Sequence, residues 1–322
     1  MSESKPVAGV DLGGTKIHAL IVTVDGEVLG EDRRPTLAAQ GADIVIERIV
    51  ASVRSALEEA KLDTSALAGV GISTPGPCDP ARGIVTNAPN LPGFVDLPLA
   101  QRVGKALGVP AILENDAAAA CYGEYRYGAG RGYEHIVYVT LGTGIGGGII
   151  IDGRLYSGAS GGAGEVGHVV VDDRAVDCNC GSRGCVETLA SGRAIARDAA
   201  AALAAGQCPA LAELVAGGEP TAELVLEAAQ RGDDVSRKVL ERAGYYLGLG
   251  LAGLLNCFNP QALILGGGLL GLGDLYLGPA LRTARERAFE QIVADVTFTN
   301  ASLPDRAGAL GAAALLIERT RR

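Results

Sequence analysis

The amino-acid sequence predicts an α/β protein of two domains, each built on a copy of one strand–turn–strand unit. A chain of 322 residues is longer than one hydrophobic core usually serves. Strand-like and helix-like segments alternate along it, which is typical of α/β layering. The segment VDLGGTKIHALIVTVDGEVL at 10–29 is echoed by VTLGTGIGGGIIIDGRLY at 139–156. The echo indicates two related halves, and chance similarity between two glycine-rich hairpins is the alternative.

Each copy reads as an apolar strand, a Leu-Gly turn, a second strand, an Asp-Gly turn and a third strand. Asp-Gly between strand-like runs is a strong hairpin signal. After the first copy, the pattern predicts a helix at 42–60, a strand at 69–73, a helix at 98–107, a strand at 111–114 and a helix at 117–125. After the second copy, it predicts a long helix at 233–258 ended by Asn259-Pro260, a strand at 262–265, and a helix at 307–318 that packs back on the first domain.

Composition argues against several classes of protein. Hydrophobic residues make up 48% of the chain, but no apolar run reaches the roughly 20 residues that a membrane span requires. The start, MSESKPVAGVDLGG, lacks the basic and apolar regions of a signal peptide, so we expect a cytoplasmic protein. The formal charge is −9, and no basic block is longer than the terminal Arg321-Arg322 pair. We therefore expect neither a membrane nor a nucleic acid as partner.

Three of the seven cysteines lie within eight residues, in CNCGSRGC at 178–185. A disulfide framework is not expected in a reducing compartment. His168 precedes Cys178 by ten residues, and one imidazole with three thiolates forms a closed tetrahedral set for a structural Zn²⁺. Gly181 and Gly184 allow the tight turns that such close ligands require. Free thiols are the alternative.

Two glycine-rich turns are suited to an anion. In DLGGTK at 11–16, consecutive glycines let backbone N–H groups surround a phosphate, while a hydroxyl and an ammonium follow. The aspartate that ends the strand can hold a hydrated Mg²⁺. GTGIGGG at 142–148 is a second turn of this type, and the P-loop pattern is absent. The candidate phosphate-binding residues are Asp11, Gly13, Gly14, Thr15, Lys16, Thr143 and Gly144.

Two matches to G-x-G-x-x-G, at 142–147 and 266–271, raise the alternative of a dinucleotide-binding enzyme. The first is followed by IIIDGRLY, which reads as strand and turn, whereas a dinucleotide-binding turn must open a helix. The second lies too near the C-terminus for a full dinucleotide domain. Neither match favours NAD binding.

The motifs, taken together, resemble those of the ROK family of bacterial sugar kinases and related repressors. The resemblance covers nearly the whole chain and is greatest to the glucokinases of that family. It implies ATP-dependent phosphorylation of a hexose at the 6-hydroxyl, with glucose the expected sugar, Mg²⁺ bound with ATP, and a role in carbohydrate metabolism at the start of glycolysis. The motifs that carry it, in order, are DLGGTK, STPGP at 73–77, NAPNLPGF at 87–94, END at 114–116, LGTGIGGG at 141–148, GEVGH at 164–168 and CNCGSRGC.

The family's fold is that of actin/hexokinase-like ATPases, with two ribonuclease H-like domains and the nucleotide between them, here with a small zinc knuckle. The resemblance places residues 1–117 and 307–322 in a smaller domain. Residues 118–306 form a larger domain with the zinc-binding loop and the adenosine site. Gly267 and Gly268, in ILGGGL, are implied to line the adenosine side, and a strand-to-helix turn without a ligand is the alternative.

Asp116 is the residue that the resemblance implies is the catalytic base. It follows Asn115 where LEND passes from an apolar strand to an alanine-rich helix, and a carboxylate there is most often only a helix cap. Phosphoryl transfer to a hydroxyl, however, needs a carboxylate that accepts the proton and aligns the oxygen. Many kinases of the family carry Asn two residues later, where this chain has Ala118.

Sugar hydroxyls both donate and accept hydrogen bonds, so their site needs rigidly placed carboxylates and amides. For Asn90 the alternative is a polar turn residue beside prolines, and for Glu165 an exposed loop acid. The resemblance implies that the sugar contacts are Asn90, Asn115, Asp116, Glu165, His168 and Glu187.

The resemblance also implies that zinc is bound by His168, Cys178, Cys180 and Cys185. A knuckle held in this way fixes the loop from Glu165 to Glu187, so that both glutamates face one pocket. We hypothesise that the second ring nitrogen of His168 binds a sugar hydroxyl. On this interpretation zinc organises sugar recognition without touching the phosphate.

Several alternatives stay open. A repressor of the same family carries a helix-turn-helix ahead of the first strand, and the ten residues before Asp11 offer no room for one. A non-catalytic sugar sensor is a second alternative, and a kinase for N-acetylmannosamine, N-acetylglucosamine, fructose or allose is a third. ADP or polyphosphate remains possible as donor. A homodimer or homotetramer is expected from the family.

Overall fold

The computed structural model describes residues 5–88, 90–303 and 305–321. Pro89 of the NAPNLPGF motif, Arg322 and the first four residues of the predicted smaller domain lie outside that part of the chain. The chain divides into two units. The first comprises Met1–Glu134, Gly148–Gly164 and Ala301–Arg322, and the second His135–Gly147 and Glu165–Asn300. The domain boundaries at 117 and 307 stay a prediction.

The first unit is built on a five-stranded mixed sheet that begins with the predicted hairpins. Its order is β3 (Val28–Pro35), β2 (Lys16–Val22), β1 (Val7–Leu12), β4 (Val70–Thr74) and β8 (Ala111–Asn115). The first three strands are antiparallel neighbours, whereas β1, β4 and β8 run parallel. Gly26, in the predicted Asp-Gly turn, has a φ of 87°.

A second five-stranded sheet repeats this order. It runs β11 (Arg154–Leu155), β10 (Ile145–Ile151), β9 (Ile136–Leu141), β12 (Ala262–Gly266) and β13 (Thr297–Asn300). Strands β9, β12 and β13 are parallel, and the boundary between the two units falls inside β10. The Asp152-Gly153 turn has positive φ at both residues, as a two-residue hairpin requires. The internal echo read from the sequence is therefore confirmed as a repeated arrangement of strands.

The helices of the first unit also follow the predicted pattern. They are α1 (Ala42–Glu59), α2 (Leu99–Leu107), α3 (Asp116–Tyr127) and α11 (Ala307–Arg321). The C-terminal helix α11 lies directly on β1 and β4, where a Cβ at Gly9 or Gly71 would overlap a carbonyl of that helix. Helix α11 thus packs on the first sheet, as the sequence predicted. A small sheet of β5 (Cys78–Asp79), β6 (Ile84–Asn87) and β7 (Val95–Leu97) was not predicted.

A buried carboxylate, that of Glu124 on α3, holds two loops of the first unit. Its oxygens accept the backbone N–H groups of Ala129 (2.8 Å), Ser302 (3.0 Å) and Leu303 (2.7 Å), and the hydroxyl of Ser302 (3.2 Å). The side chain is fully buried. A carboxyl group so placed is tolerable because N–H and O–H donors replace its water.

We expect Glu124→Ala to lower the free energy of unfolding by about 3 kcal/mol or more. The change leaves three partly buried N–H groups without this acceptor, and an unsatisfied buried group costs about 1–3 kcal/mol. Thermal and urea unfolding would measure it, with the exposed Glu58→Ala on α1 as control. A loss below about 1 kcal/mol for Glu124→Ala would contradict the role assigned to this carboxylate.

The second unit packs its helices around the long helix predicted at 233–258. That helix, α8 (Asp234–Phe258), begins where Asp233 Oδ1 accepts the N–H of Ser236 and ends at Asn259, whose φ is 41°. None of the helices in the described part of the chain has the length and hydropathy of a membrane span. The other helices of this unit are α4 (Val186–Ala190), α5 (Gly192–Ala204), α6 (Pro209–Val215), α7 (Ala222–Gln230), α9 (Asp274–Arg287) and α10 (Glu290–Asp295).

Candidate active site

Polar side chains of the first unit gather where its parallel strands end. Asp11 of β1 lies in register with Ser73 of β4, which in turn lies opposite Glu114 of β8. Because the carboxyl ends of parallel strands meet at one edge of the sheet, Asn115 and Asp116 come to the same edge. The parallel register thus brings together Asp11 and the END motif, which are about 100 residues apart in the chain.

The carboxyl group of Asp11 suits a cation. Burial raises its pKa, against the opposing effects of a hydrogen bond from Ser73 Oγ (2.7 Å) and of the nearby His18 and Lys16. A raised pKa means that the ionised form lacks sufficient compensation, which a hydrated divalent cation would supply.

The DLGGTK turn is held by hydrogen bonds to its backbone, and the side chains of Thr15 and Lys16 are exposed. Gly13 N–H donates to Lys16 O (2.9 Å), and Thr36 Oγ1 donates to Gly13 O (2.6 Å). The ammonium of Lys16 pairs with Asp305 at 3.3 Å, and both side chains are more than half exposed. Such exposed pairs contribute little to stability, so a phosphate can replace the carboxylate. Asn90 packs beside Gly14, where a Cβ would lie 3.5 Å from Asn90 Cβ.

Asn115, rather than Asp116, is the N-cap of α3. Its Oδ1 accepts the N–H groups of Ala117 (3.0 Å) and Ala118 (3.1 Å). Asp116 is the first helical residue, and its Oδ1 also accepts Ala117 N–H (2.8 Å). The capping role that was the alternative for Asp116 is therefore already filled by its neighbour.

Glu114 is a buried acid at this edge that the sequence analysis did not single out. Its Oε1 accepts the N–H of Asn115 (3.1 Å), and Arg319 of α11 approaches its Oε2 to 3.7 Å. Burial nevertheless raises the pKa of Glu114. No local signal distinguishes this glutamate in LEND, because its burial depends on helix α11 about 200 residues later.

We expect Glu114→Gln to raise the melting temperature at pH 8 by a few degrees and to leave it nearly unchanged near pH 4. A raised folded-state pKa contributes stability that is fully present below the ordinary value of 4.5. That stability is lost as the pH rises through the folded-state value. Glutamine does not ionise and so avoids this loss. Calorimetry from pH 4 to pH 8 measures the effect, with Glu58→Gln as control, and a difference independent of pH would refute it.

In the second unit, the second glycine turn is bonded to Glu187. Ile145 N–H donates to Glu187 Oε2 (2.9 Å), and a Cβ at Gly144 would overlap the same oxygen. Gly142 N–H donates to Gly144 O (3.0 Å), which closes the turn. A Cβ at Gly142 would meet no atom within 4 Å, so the fold itself does not require glycine there. The turn is thus tight on the side of Glu187 and open at Gly142.

The GEVGH segment lies against the carbonyl of the same residue, Ile145. Residues Val166–His168 form a 3₁₀ turn, and a Cβ at Gly167 would overlap Ile145 O. His168 Nδ1 lies 3.6 Å from Cys178 Sγ, and its Nε2 lies 3.9 Å from Glu165 Oε2. The second distance exceeds that of a hydrogen bond. His168 therefore turns one ring nitrogen to the cysteines and the other toward Glu165.

His168 and the three clustered cysteines form a candidate metal centre. One ligand atom from each of His168, Cys178, Cys180 and Cys185 lies within 4.8 Å of all the others. The Sγ atoms of Cys180 and Cys185 are 3.7 Å apart, close to the roughly 3.8 Å that tetrahedral Zn²⁺ with bonds of about 2.3 Å requires. The donor set fits a structural zinc ion.

The backbone of the cysteine cluster depends on two glycines. Gly181 and Gly184 have φ values of 91° and 67°, and a Cβ at Gly184 would overlap Asp172 O. The tight turns predicted at these positions are present. Burial and the neighbouring thiols raise the pKa of Cys185 to about 12, so a cation is needed if all three cysteines are to be thiolates at neutral pH.

Gly267 and Gly268 follow β12, as the sequence predicted, but differ in their surroundings. Gly267 has a φ of 90°, and a Cβ there would overlap Leu141 O, so the fold alone requires this glycine. A Cβ at Gly268 would meet no atom within 4 Å. Only the second of the two glycines therefore has open space beside it.

Comparison with known proteins places these features in context. The model of the ROK family matches residues 7–319. A glucokinase from Thermotoga maritima is 38% identical over 312 residues, which are 97% of this chain and 97% of that protein.

Two solved structures are similar over nearly their whole length. A ROK hexokinase from Thermus thermophilus has a TM-score of 0.84 at 33% identity, with 98% of this chain and 100% of that one covered. A ROK family glucokinase from Streptomyces griseus, in complex with glucose and AMPPNP, has a TM-score of 0.79 at 38% identity. That comparison covers 96% of this chain and 98% of the other.

Proposed function

The chain belongs to the ROK family, and we propose that it is an ATP-dependent glucokinase that converts glucose to glucose 6-phosphate. The observation that carries this proposal is the 38% identity, over 96% of the chain, to a glucokinase solved with glucose and AMPPNP. The fold is that of hexokinase-like ATPases, with two sheets of parallel and antiparallel strands that share the same strand order.

We propose that Asp116 is the base. Its carboxylate accepts the proton of the 6-hydroxyl while that oxygen forms a bond to the γ-phosphorus and the bond from this phosphorus to ADP breaks. Support comes from its place at the first turn of α3, at the edge that also carries Asp11. Asn115 caps the helix through Oδ1, and its carboxamide N–H₂ remains to bind the sugar.

The donor side of the site is proposed to use both glycine turns. Residues Gly13, Gly14, Thr15 and Lys16 offer N–H groups, a hydroxyl and a replaceable ammonium to the phosphates. Thr143 and Gly144 offer N–H groups and a hydroxyl, and the open space at Gly268 suits the adenosine, with Gly267 beside it. Asp11 would hold Mg²⁺, directly or through water, and this ion would neutralise charge on the phosphates.

The sugar side is proposed to use Asn90, Asn115, Glu165, His168 and Glu187. His168 Nε2 and Glu165 Oε2, 3.9 Å apart, are too distant to bond each other well. A sugar hydroxyl can bond to both, because it donates to the carboxylate and accepts from the ring N–H. This supports the hypothesis that the second ring nitrogen of His168 contacts the sugar.

Zn²⁺ would be held by His168, Cys178, Cys180 and Cys185 and would supply a rigid support for the loop that carries Glu165 and Glu187. The loop held by zinc would also support the second glycine turn. Gly167 and Glu187 contact the carbonyl and the N–H of Ile145. Both ends of the segment that would bind the metal, at Gly167 and Glu187, thus contact the start of β10, beside the second glycine turn.

A cytoplasmic location and a homodimer or homotetramer complete the proposal. Sedimentation of the purified protein with and without glucose would determine the assembly state.

The test of the function is ADP release from Mg·ATP with a panel of hexoses and N-acetylhexosamines. Glucose is expected to give the highest kcat/KM, and Asp116→Asn is expected to lose this turnover. Turnover with another sugar only would keep the mechanism and replace the substrate. If no sugar were phosphorylated by zinc-replete protein, with ATP or polyphosphate as donor, a sugar sensor would replace the enzyme.

A further inference from the structure

Arg193 is a cation over the second glycine turn to which the proposed function assigns no role. It lies in the first turn of α5, and the start of that helix is bonded to the glycine turn. Gly192 N–H donates to Gly142 O (2.9 Å), and Arg193 N–H donates to Thr143 O (3.4 Å). The backbone of Arg193 is therefore held against the turn on which phosphate is proposed to bind.

The guanidinium of Arg193 reaches over the middle of that turn. Its Nη2 lies 3.7 Å from the position that a Cβ of Gly144 would occupy. Apart from Gly144 and its two chain neighbours, the three heavy atoms nearest to that position belong to Glu187 and Arg193. A ligand that settles on Gly144 thus meets one carboxylate, already engaged by Ile145 N–H, and one guanidinium.

The ion pair between Arg193 and Glu187 is weak enough to be exchanged. The Nη2 atom lies 3.5 Å from Glu187 Oε1, and the side chain of Arg193 is 59% exposed. Exposed pairs of this length contribute little to stability. Glu187 keeps its position without Arg193, because its other oxygen accepts Ile145 N–H at 2.9 Å. The guanidinium can therefore leave the carboxylate at small cost.

We propose that Arg193 binds the β- or γ-phosphate of the nucleotide donor and leaves Glu187 when it does so. This inference rests on the proposed function, since it takes ATP on the second glycine turn as given. A guanidinium offers a planar fork of N–H donors that matches two phosphate oxygens, and a phosphate group carries more charge than the carboxylate it replaces.

The exchange of partners by Arg193 couples the binding of the nucleotide to the binding of the sugar. Once Arg193 bonds to phosphate, Glu187 Oε1 is released to accept a hydrogen bond from a sugar hydroxyl, the contact proposed for this residue. Nucleotide should then strengthen sugar binding, and sugar should strengthen nucleotide binding by the same factor. Without Arg193 this mutual strengthening should shrink.

The experiment compares nucleotides that differ only in their phosphates. Affinities of AMP, ADP and AMPPNP are measured by calorimetry, with Mg²⁺ and glucose present, for the wild type, Arg193→Ala and Arg193→Lys. Arg237→Ala serves as control, since Arg237 is an exposed arginine of α8 paired with Asp234 on the same helix. We expect Arg193→Ala to weaken AMPPNP about tenfold or more, to leave AMP nearly unchanged, and Arg193→Lys to fall between.

Other outcomes would overturn the inference. AMPPNP affinity unchanged in folded Arg193→Ala would show that no phosphate contact is lost. Equal weakening of AMP and AMPPNP would indicate a structural role for Arg193. Weaker glucose binding by Arg193→Ala in a separate titration without nucleotide, with AMPPNP affinity unchanged, would show that Arg193 acts through Glu187 and not on phosphate. If Arg193→Ala fails to fold, the affinities of Arg193→Lys for AMP, ADP and AMPPNP are compared in the same way. Failure of the proposed function is distinct, because the wild type itself would then neither bind AMPPNP nor release ADP.

Discussion

Asp116→Asn is expected to lower kcat by about 10²–10⁴-fold, the range that general-base catalysis contributes. Asparagine has the shape of aspartate but cannot take the proton of the sugar hydroxyl. Its Oδ1 can still accept Ala117 N–H, and the cap formed by Asn115 is untouched, so the start of α3 should be preserved. The variant should bind glucose and AMPPNP with affinities near those of the wild type.

The measurement is kcat and the KM for glucose at saturating Mg·ATP, together with the melting temperature. Asp234→Asn is a matched control, because Asp234 is likewise the first residue of a helix whose N-cap is the residue before it. We expect no loss of kcat there. A decrease of less than about tenfold for folded Asp116→Asn would rule out this residue as the base.

Removal of the metal is expected to impair the binding of both substrates, glucose and ATP. Chelation, or Cys185→Ser, should lower kcat/KM at least about 100-fold, because the change removes a ligand itself and not only a group that orients one. From the sequence, zinc was expected to organise sugar recognition without touching the phosphate, so that its removal raises the KM for the sugar or unfolds the loop. The structure extends this expectation, since the segment that carries the candidate metal ligands contacts both the N–H and the carbonyl of Ile145. The KM for ATP should therefore rise along with that for glucose.

Zinc content, melting temperature and the two KM values test this together. Cys257→Ser is the matched control, since Cys257 is an exposed cysteine in the last turn of α8 and outside the cluster. Full activity in protein shown to be free of metal would contradict a structural role for zinc. An increase in the KM for glucose only would restrict that role to the sugar.

Elements with strong local signals were predicted with nearly correct bounds. The long helix predicted at 233–258 is Asp234–Phe258, because its apolar periodicity and the Asn259-Pro260 stop act within the segment itself. The two repeated units were found because Asp-Gly turns select hairpins locally. The three-stranded sheet of β5, β6 and β7 was missed, since strands of two to four residues beside Pro and Gly show no alternation.

The candidate site was predicted as a set of residues but not as a set of contacts. Asp116, His168 and the cysteines were identified as candidates through their motifs. Glu187 was assigned to the sugar, and its bond to Ile145, 42 residues earlier, could not be predicted. Glu124 and Arg193 were not found, because neither stands in a motif and both have their partners in distant loops.

The sequence by itself determined the repeated strand units and the glycine turns, and it indicated the candidate metal ligands and the candidate base, because each stands in a short segment whose chemistry needs those residue types. Tertiary structure alone decided which of these segments touch. It bonded Glu187 to the second glycine turn, set Arg193 over that turn and buried Glu114 under α11. Burial and long-range hydrogen bonds arise from packing between segments far apart in the chain, and no local pattern carries that information.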